Sequence, residues 1–534
     1  MKKLYFSIWG LCTILLSISH PLFSQENYDI PGKNPESCTS IMVGKKASAD
    51  GSVITSHTCD GNYRTWMNIV PARTNDHDTT VTIYNGLMHT ENSKDMTGVK
   101  IKGTIPDIEK TYSYLNTAYP CLNEKQLGIG ETTITGRKEL INENGMFMIE
   151  ELCKIALERC STAREAIRLI GSLVKEYGYC DAGECLTIAD PKEVWHFEIF
   201  GEGPDKIGGV WAAVRIPDEH VGVSANIPRI SIIDTTDNSR CMASENVFET
   251  AKKLGYWDGK EPFKFWKVYG GNKKAFNIRE YFILSYLAPS LDLQYEAEEL
   301  PISVKPDKSV SVNDVMALLR QTYEGTEYDM TQNLKITRNK AGSSETETIT
   351  SPYANPWMTT DMVNMLNGIK DSTVIRYRLV SVPQCSYSHV IQLRDWLPDE
   401  VGGIAWIAFD NPGQSPRIPV FAGATTVPAS FEICGQHRFR TDASVWNYRR
   451  ANKLATVKWG ATRQFIEEGI AHYETKAFSE LPYIEEKAIE LLNNNKTDEC
   501  RNFLTDYTND FANSTARYWW EMGDKFWLMF ARGF

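Results

Sequence analysis

The chain has 534 residues, 42% of them hydrophobic, enough to bury a large core in one big domain with additions or in two to three domains. A formal net charge of −11 with no basic stripe argues against nucleic acid as a partner. Charged residues at 23% and aromatics at 11% are ordinary for a folded globular protein, which excludes a disordered or fibrous class.

The first two dozen residues follow a different pattern from the rest. Lys2 and Lys3 precede the short apolar run "LYFSIWGLCTILLSIS", and "HPLFSQ" then supplies a helix breaker and a small residue, Ser24. This is the pattern of a secretory signal peptide over residues 1–24, too short for a spanning helix. Cys12 in "WGLC" lacks the aliphatic neighbour that a lipoprotein site needs, because Trp9 stands there. The expectation is therefore an exported protein, periplasmic or extracellular, with no membrane contact once the signal is removed. Export permits disulfides, and Cys180 with Cys185 or Cys153 with Cys160 could pair. Eleven cysteines remain after Cys12, so at least one thiol stands outside intramolecular pairing.

Residues 25–37, "QENYDIPGKNPES", are polar, rich in Pro and Gly and without periodicity, and read as a linker or propeptide. "CTSIMVG" and "SVITSH" are short β-prone runs separated by a tight Asp-Gly turn, and "WMNIVPA" and "LGIGETTITG" also read as strands. "MFMIEELCKIALERC" has helical spacing through Met148, Ile149, Leu152, Ile155 and Ala156. "STAREAIRLIGSLVKEYG" opens with Thr162 and Glu165 at capping-box spacing and closes at Gly178. "ECLTIADPKEVWHFEIF" predicts a hairpin about Asp190-Pro191, with Trp195, Phe197 and Ile199 on one face. "GVWAAVRI", "HVGVSANI", "YSHVIQLRD" and "GGIAWIAFD" add strands. "SVNDVMALLRQTYEG" predicts a helix and "TRNKAGSSETETITSPYANP" a polar loop. From about 441 the pattern is helical, with "LPYIEEKAIELLNNN" as a segment of its own and a Trp-rich end. Strands on both sides of a helical pair predict an α+β fold of two sheets with helices outside.

Common catalytic signatures are absent. There is no G-x-S-x-G elbow, and "GETTITGRK" has the wrong spacing for a phosphate loop. The chain has no C-x-x-C pair and no H-E-x-x-H, so neither a metal nor an organic cofactor is expected. His196 and His389 read as satisfied strand histidines rather than catalysts.

Cys38 remains. If everything before it were removed, one residue would hold both a thiol and a free α-amine. An α-amine titrates near ~7.7 to 8, so it can act as general base for its own side chain. The leader would then be cut twice, the second time between Ser37 and Cys38. The plain alternative is a buried strand cysteine. Cys59 cannot supply a free amine and reads as packing or a disulfide partner.

"CTSIMVGKKASADGSVI", "CDG", "LNEKQLGIGETT", "STAREAIRLIGSLVKEYGY", "LTIADPKEVWHFEI", "VGVSANIPRI" and "CSYSHVIQLRDWLPDEVGGIAW" resemble, in order, the C69 dipeptidases. These are cysteine N-terminal nucleophile (Ntn) hydrolases related to penicillin V acylases and bile-salt hydrolases. The resemblance implies an αββα sandwich over 38–440 with a helical extension over 441–534, and hydrolysis of dipeptides without a cofactor. It implies Cys38 as nucleophile, Asp60 as the acid that orients the α-amine, and Asn226 as oxyanion donor. Glu131 falls at a substrate-side polar position. The relatives usually carry Arg three residues before the aspartate, where this chain has His57; at this substrate-side position it either keeps the place with a charge that titrates near neutrality or changes the substrate preferred. A second active-site arginine is not placed by the resemblance. The rival readings are the same chemistry on N-acyl amino acids, bile-acid conjugates or peptidoglycan fragments, and a secreted binding protein without turnover. A homo-oligomer is compatible with the sequence.

Overall fold

A computed structural model describes residues 37–533; the expected signal peptide and all of the propeptide except Ser37 lie outside the described residues. Two antiparallel sheets form the centre. The first has seven strands in the spatial order Ser303–Val304, Val221–Ser224, Ser40–Val43, Val53–Asp60, Cys385–Leu393, Ile404–Phe409 and Ile418–Phe421. The second has eight, running Cys241–Ala243, Val210–Ile216, Glu193–Phe200, Glu184–Asp190, Gly128–Thr133, Leu122–Asn123, Tyr114–Asn116 and Asn68–Val70.

The sheets meet face to face where Val53–Asp60 crosses Gly128–Thr133 and Glu184–Asp190. Gly130 makes that approach feasible. A Cβ there would lie 2.2 Å from the Ser56 carbonyl oxygen, so no side chain fits between the two strands. Thr55 and Thr187 hydroxyls bond across the same seam at 2.6 Å. Every residue of Val53–Asp60 and Cys385–Leu393 is buried, as expected for strands covered on both faces. This explains why neither strand shows hydrophobic alternation, and why polar residues such as Thr55, Ser56 and His57 have to find partners inside the protein.

Helices cover the outer faces. Ile149–Arg159 and Ala163–Tyr177 lie on the second sheet, the latter starting at the Thr162–Glu165 capping box and ending at Gly178. Val312–Leu319, Ile278–Leu287 and the C-terminal helices Val445–Val457 and Thr497–Met529 contact the first sheet. The result is the layered α+β arrangement of the Ntn type. No helix among the described residues is long and apolar enough to cross a membrane.

Several expectations are corrected. The polar loop at 337–356 contains one strand of an exposed hairpin, Lys335–Asn339 paired with Thr346–Thr350. Its alternating Thr and Ile residues favour strands even without a core to cover. "LPYIEEKAIELLNNN" is no separate element, since the helix Trp459–Asn493 runs through Pro482. The face of Trp195, Phe197 and Ile199 is not distinguished by burial, because the intervening His196 and Glu198 are buried as well. No disulfide is present among the described residues, so neither Cys153 with Cys160 nor Cys180 with Cys185 is paired.

Candidate active site

Cys38 stands at the head of the first-sheet strand Ser40–Val43, fully buried. Its backbone is held on every side. The Cys38 N–H donates to Asn226 Oδ1 at 2.8 Å, and its carbonyl accepts from Arg279 Nη1 at 2.7 Å. Bonded to Ser37, this nitrogen is an amide with one hydrogen and no basicity. The backbone of Asp60 bonds to the Cys38 sulfur. Burial pushes the Cys38 thiol well above its ordinary value of 9.0, and the nearby Glu131, Cys59 and Asp60 push the same way. At neutral pH this thiol is protonated.

Asp60 ends the neighbouring strand Val53–Asp60. One carboxylate oxygen accepts from Thr58 Oγ1 at 3.0 Å and from Arg378 Nη2 at 2.9 Å. Burial raises its pKa, while Arg378, the Cys385 thiol and Arg279 pull it down. Asn226 follows the strand Val221–Ser224 with φ +67°, a left-handed conformation that Asn tolerates better than most residues. Its Nδ2 donates to the Thr133 carbonyl at 2.7 Å. An amide nitrogen carries two hydrogens, so the Thr133 bond uses one of them.

The start of helix Ile278–Leu287 fixes this turn. Asn277 and Glu280 form a reciprocal cap, Asn277 Nδ2 donates to the Ala225 carbonyl, and Glu280 Oε1 accepts from the Ala225 N–H at 3.0 Å. Arg279 between them donates to Cys38 O, Thr39 Oγ1, Ala225 O and Asn226 Oδ1. Burial lowers its pKa to about 10, which still leaves a cation at neutral pH. The sequence reading missed Arg279. The available signal was the Asn277-x-x-Glu280 capping spacing, which marks a helix start, although nothing local says that the first turn faces Cys38.

Glu131 lies in the second sheet, one residue beyond the Gly130 contact. Its carbonyl accepts from His57 Nδ1 at 2.6 Å and Ser40 Oγ at 3.1 Å, and its Oε1 accepts from Thr133 Oγ1 at 3.1 Å. The carboxyl also meets the Cys38 thiol and the carboxyl of Glu184, across the strand pairing of Thr133 with Glu184. Burial pushes Glu131 up to about 7, and raises Glu184 well above its ordinary 4.5. Two buried carboxyls this close retain a proton between them at neutral pH. Glu184 was the second participant that the sequence reading missed.

His57 does not carry the expected switchable charge. Burial pushes its imidazole down to about 4, so it is neutral at physiological pH and donates from Nδ1, while Nε2 meets no hydrogen-bond partner. Its ring lies 5.3 Å from that of His389, neither of whose nitrogens has a hydrogen-bond partner, so His389 is a strand histidine but not a satisfied one. His196 is satisfied, by Glu198 at 2.8 Å and the Cys185 sulfur. The cation opposite Asp60 comes instead from Arg378, 318 positions along the chain.

The structure thus brings Cys38, His57, Asp60, Glu131 and Asn226 together and adds Arg279, Arg378 and Glu184. Cys38 Sγ, a His57 ring nitrogen and a Glu131 carboxylate oxygen lie within 4.8 Å of one another. A thiophilic divalent cation could draw them together.

The profile of peptidase family C69 matches residues 37–471, the whole two-sheet body and this site. The chain belongs to peptidase family C69. Among similar proteins, a probable dipeptidase of Latilactobacillus sakei is 27% identical over 450 residues, covering 80% of this chain and 82% of that one. A probable dipeptidase of Salmonella dublin is 26% identical, over 72% of this chain and 81% of its own. A probable dipeptidase B of Streptococcus pyogenes serotype M1 is 23% identical, over 72% and 71%. The C69 chain described here is a peptidase, and its polar residues converge on a buried cysteine.

Proposed function

We propose that this protein is an exported cysteine dipeptidase whose nucleophile, Cys38, becomes the first residue when the chain is cut after Ser37. The observation that carries the reading is the clamp on Cys38. Its nitrogen rests on Asn226 and its carbonyl on Arg279, an investment of buried polar groups in one residue's backbone that an ordinary strand cysteine does not need. The dipeptidase names of the C69 relatives supply the substrate class.

In the cut chain the Cys38 amide becomes an amine that titrates near ~7.7 to 8 and can take the thiol proton. The thiolate attacks the scissile carbonyl of a dipeptide. Charge that develops on that carbonyl oxygen is met by the second Asn226 N–H, with the Arg279 cation behind it. The amine returns the proton to the leaving amino group, the acyl group stays on sulfur as a thioester, and water releases it by the same route. Asp60 orients the amine, and Glu131, ionised in part at neutral pH, faces the substrate's own amino terminus. His57 supports Glu131 through its carbonyl rather than through charge.

The test compares free-amine dipeptides with their N-acylated forms on the mature protein and on Cys38→Ala. Turnover of the free-amine set that vanishes in Cys38→Ala is the expected result. Faster hydrolysis of the acylated set would replace the dipeptidase reading with an amidase.

A further inference from the structure

We infer that Arg378 is a catalytic residue of maturation: its guanidinium is the electrophile that polarises the Ser37 carbonyl while the Cys38 thiol attacks it. The inference rests on the cut after Ser37 proposed above and assigns the group that drives it.

The Ser37–Cys38 peptide is held like a bound substrate. Arg378 Nη2 donates to the Ser37 carbonyl oxygen at 3.1 Å and to Ser37 Oγ at 2.6 Å, and its Nε reaches the same hydroxyl at 3.1 Å. The Ser37 N–H donates to the Asp60 carbonyl at 2.9 Å. With the Cys38 N–H on Asn226 and the Cys38 carbonyl on Arg279, all four backbone polar groups around this bond have partners. Only one of those partners is a cation on the carbonyl that has to accept negative charge. Asp60 Oδ2 accepts from the same Nη2 at 2.9 Å, and the Leu379 carbonyl accepts from Nη1, so the guanidinium is held in place before any charge develops.

The step balances within the chain. The Cys38 sulfur bonds to the Ser37 carbonyl carbon, and the oxygen takes the negative charge against Arg378. Collapse breaks the carbon–nitrogen bond, and the thiol's proton ends on nitrogen as part of the new α-amine. Water then hydrolyses the thioester, leaving a Ser37 carboxylate and a free Cys38 thiol. No oxidant, metal or second protein is consumed. Turnover of a dipeptide differs in having the amine as base, which the uncut chain lacks, so the uncut chain depends more on polarisation of its carbonyl.

The experiment is a time course of intact mass during cell-free synthesis of the full chain, for wild type, Arg378→Ala and Arg378→Lys. Wild type loses everything before Cys38. Arg378→Ala retains Ser37, the cut slowed about 10² to 10³-fold, as for loss of an oxyanion donor elsewhere. Guanidinium added far below unfolding concentrations restores part of the rate, an effect that a merely structural arginine would not show. Arg378→Lys keeps the charge but loses the fork and is slowed less. If wild type is cut and both variants are cut at the same rate, the assignment is wrong while the maturation reading stands. If wild type is never cut at Cys38, the maturation reading itself falls. Should Arg378→Ala fail to fold, Arg378→Lys decides: cutting at the wild-type rate overturns the assignment and slowed cutting supports it.

Discussion

His57 gives the most discriminating stability prediction. The ring is fully buried, Nδ1 bonds to the Glu131 carbonyl, and burial brings its pKa from 6.5 to about 4. A gap of two and a half units at ~1.36 kcal/mol per unit amounts to about 3 kcal/mol. Between those values the unfolded chain binds the proton and the folded chain does not. This residue's contribution therefore rises with pH through the window, is complete above 6.5, and is lost as pH falls toward 4. The Glu131 carboxylate 3.8 Å away cannot rescue the cation, because burial has raised that carboxyl to about 7 and it is protonated throughout the same window. Other buried groups titrate too. His389 acts in the same direction, while raised carboxyls such as Glu150 act in the opposite one, so the wild-type curve alone is not diagnostic. The difference between wild type and His57→Gln isolates the residue. Urea unfolding at pH 7, 6, 5 and 4 should show wild type losing about 3 kcal/mol more than the variant across that range, whatever their offset at pH 7. Parallel curves, or a variant that loses more, would refute a neutral buried imidazole.

Three further outcomes follow from the site and the fold. Asn226→Ala should lower kcat about 10² to 10³-fold with a much smaller change in KM, because the donor acts on charge present only in the transition state; steady-state kinetics on a dipeptide checks this. Glu184 bonds to the Glu131 carboxylate and holds its pKa down against burial, so Glu184→Ala should move the acid limb of the kcat/KM profile to higher pH, while Glu184→Gln, which keeps a donor, moves it less. Trp519 is buried in the last helix, where it packs on Tyr448 and donates to the Gln414 carbonyl at 3.1 Å; Trp519→Ala should cost about 3 to 5 kcal/mol in denaturant unfolding without changing the pH profile of turnover.

What sequence reveals about this site depends on whether the signal is local. The capping box at Thr162 and the hairpin about Asp190-Pro191 are written within a few residues and are found where expected. Cys38, Asp60 and Asn226 stand at strand ends, where resemblance and turn chemistry both point. Arg279 and Arg378 were not legible, because each belongs to the site only through a register between distant segments: one at a helix start 53 residues after Asn226, the other on a loop 318 residues after Asp60. Charge was equally hidden at position 57. A histidine in "SHTCD" reads as a titrating group, and only the sheet packed over it at Gly130 makes it neutral.

The central claim is that Cys38 works as the first residue of the mature chain. The intact mass of the active wild-type protein tests it most directly. The account predicts a chain that begins at Cys38, with Cys38→Ala keeping Ser37 attached. A fully active protein that begins anywhere else would contradict it, since the nucleophile would then have no amine to serve as its base.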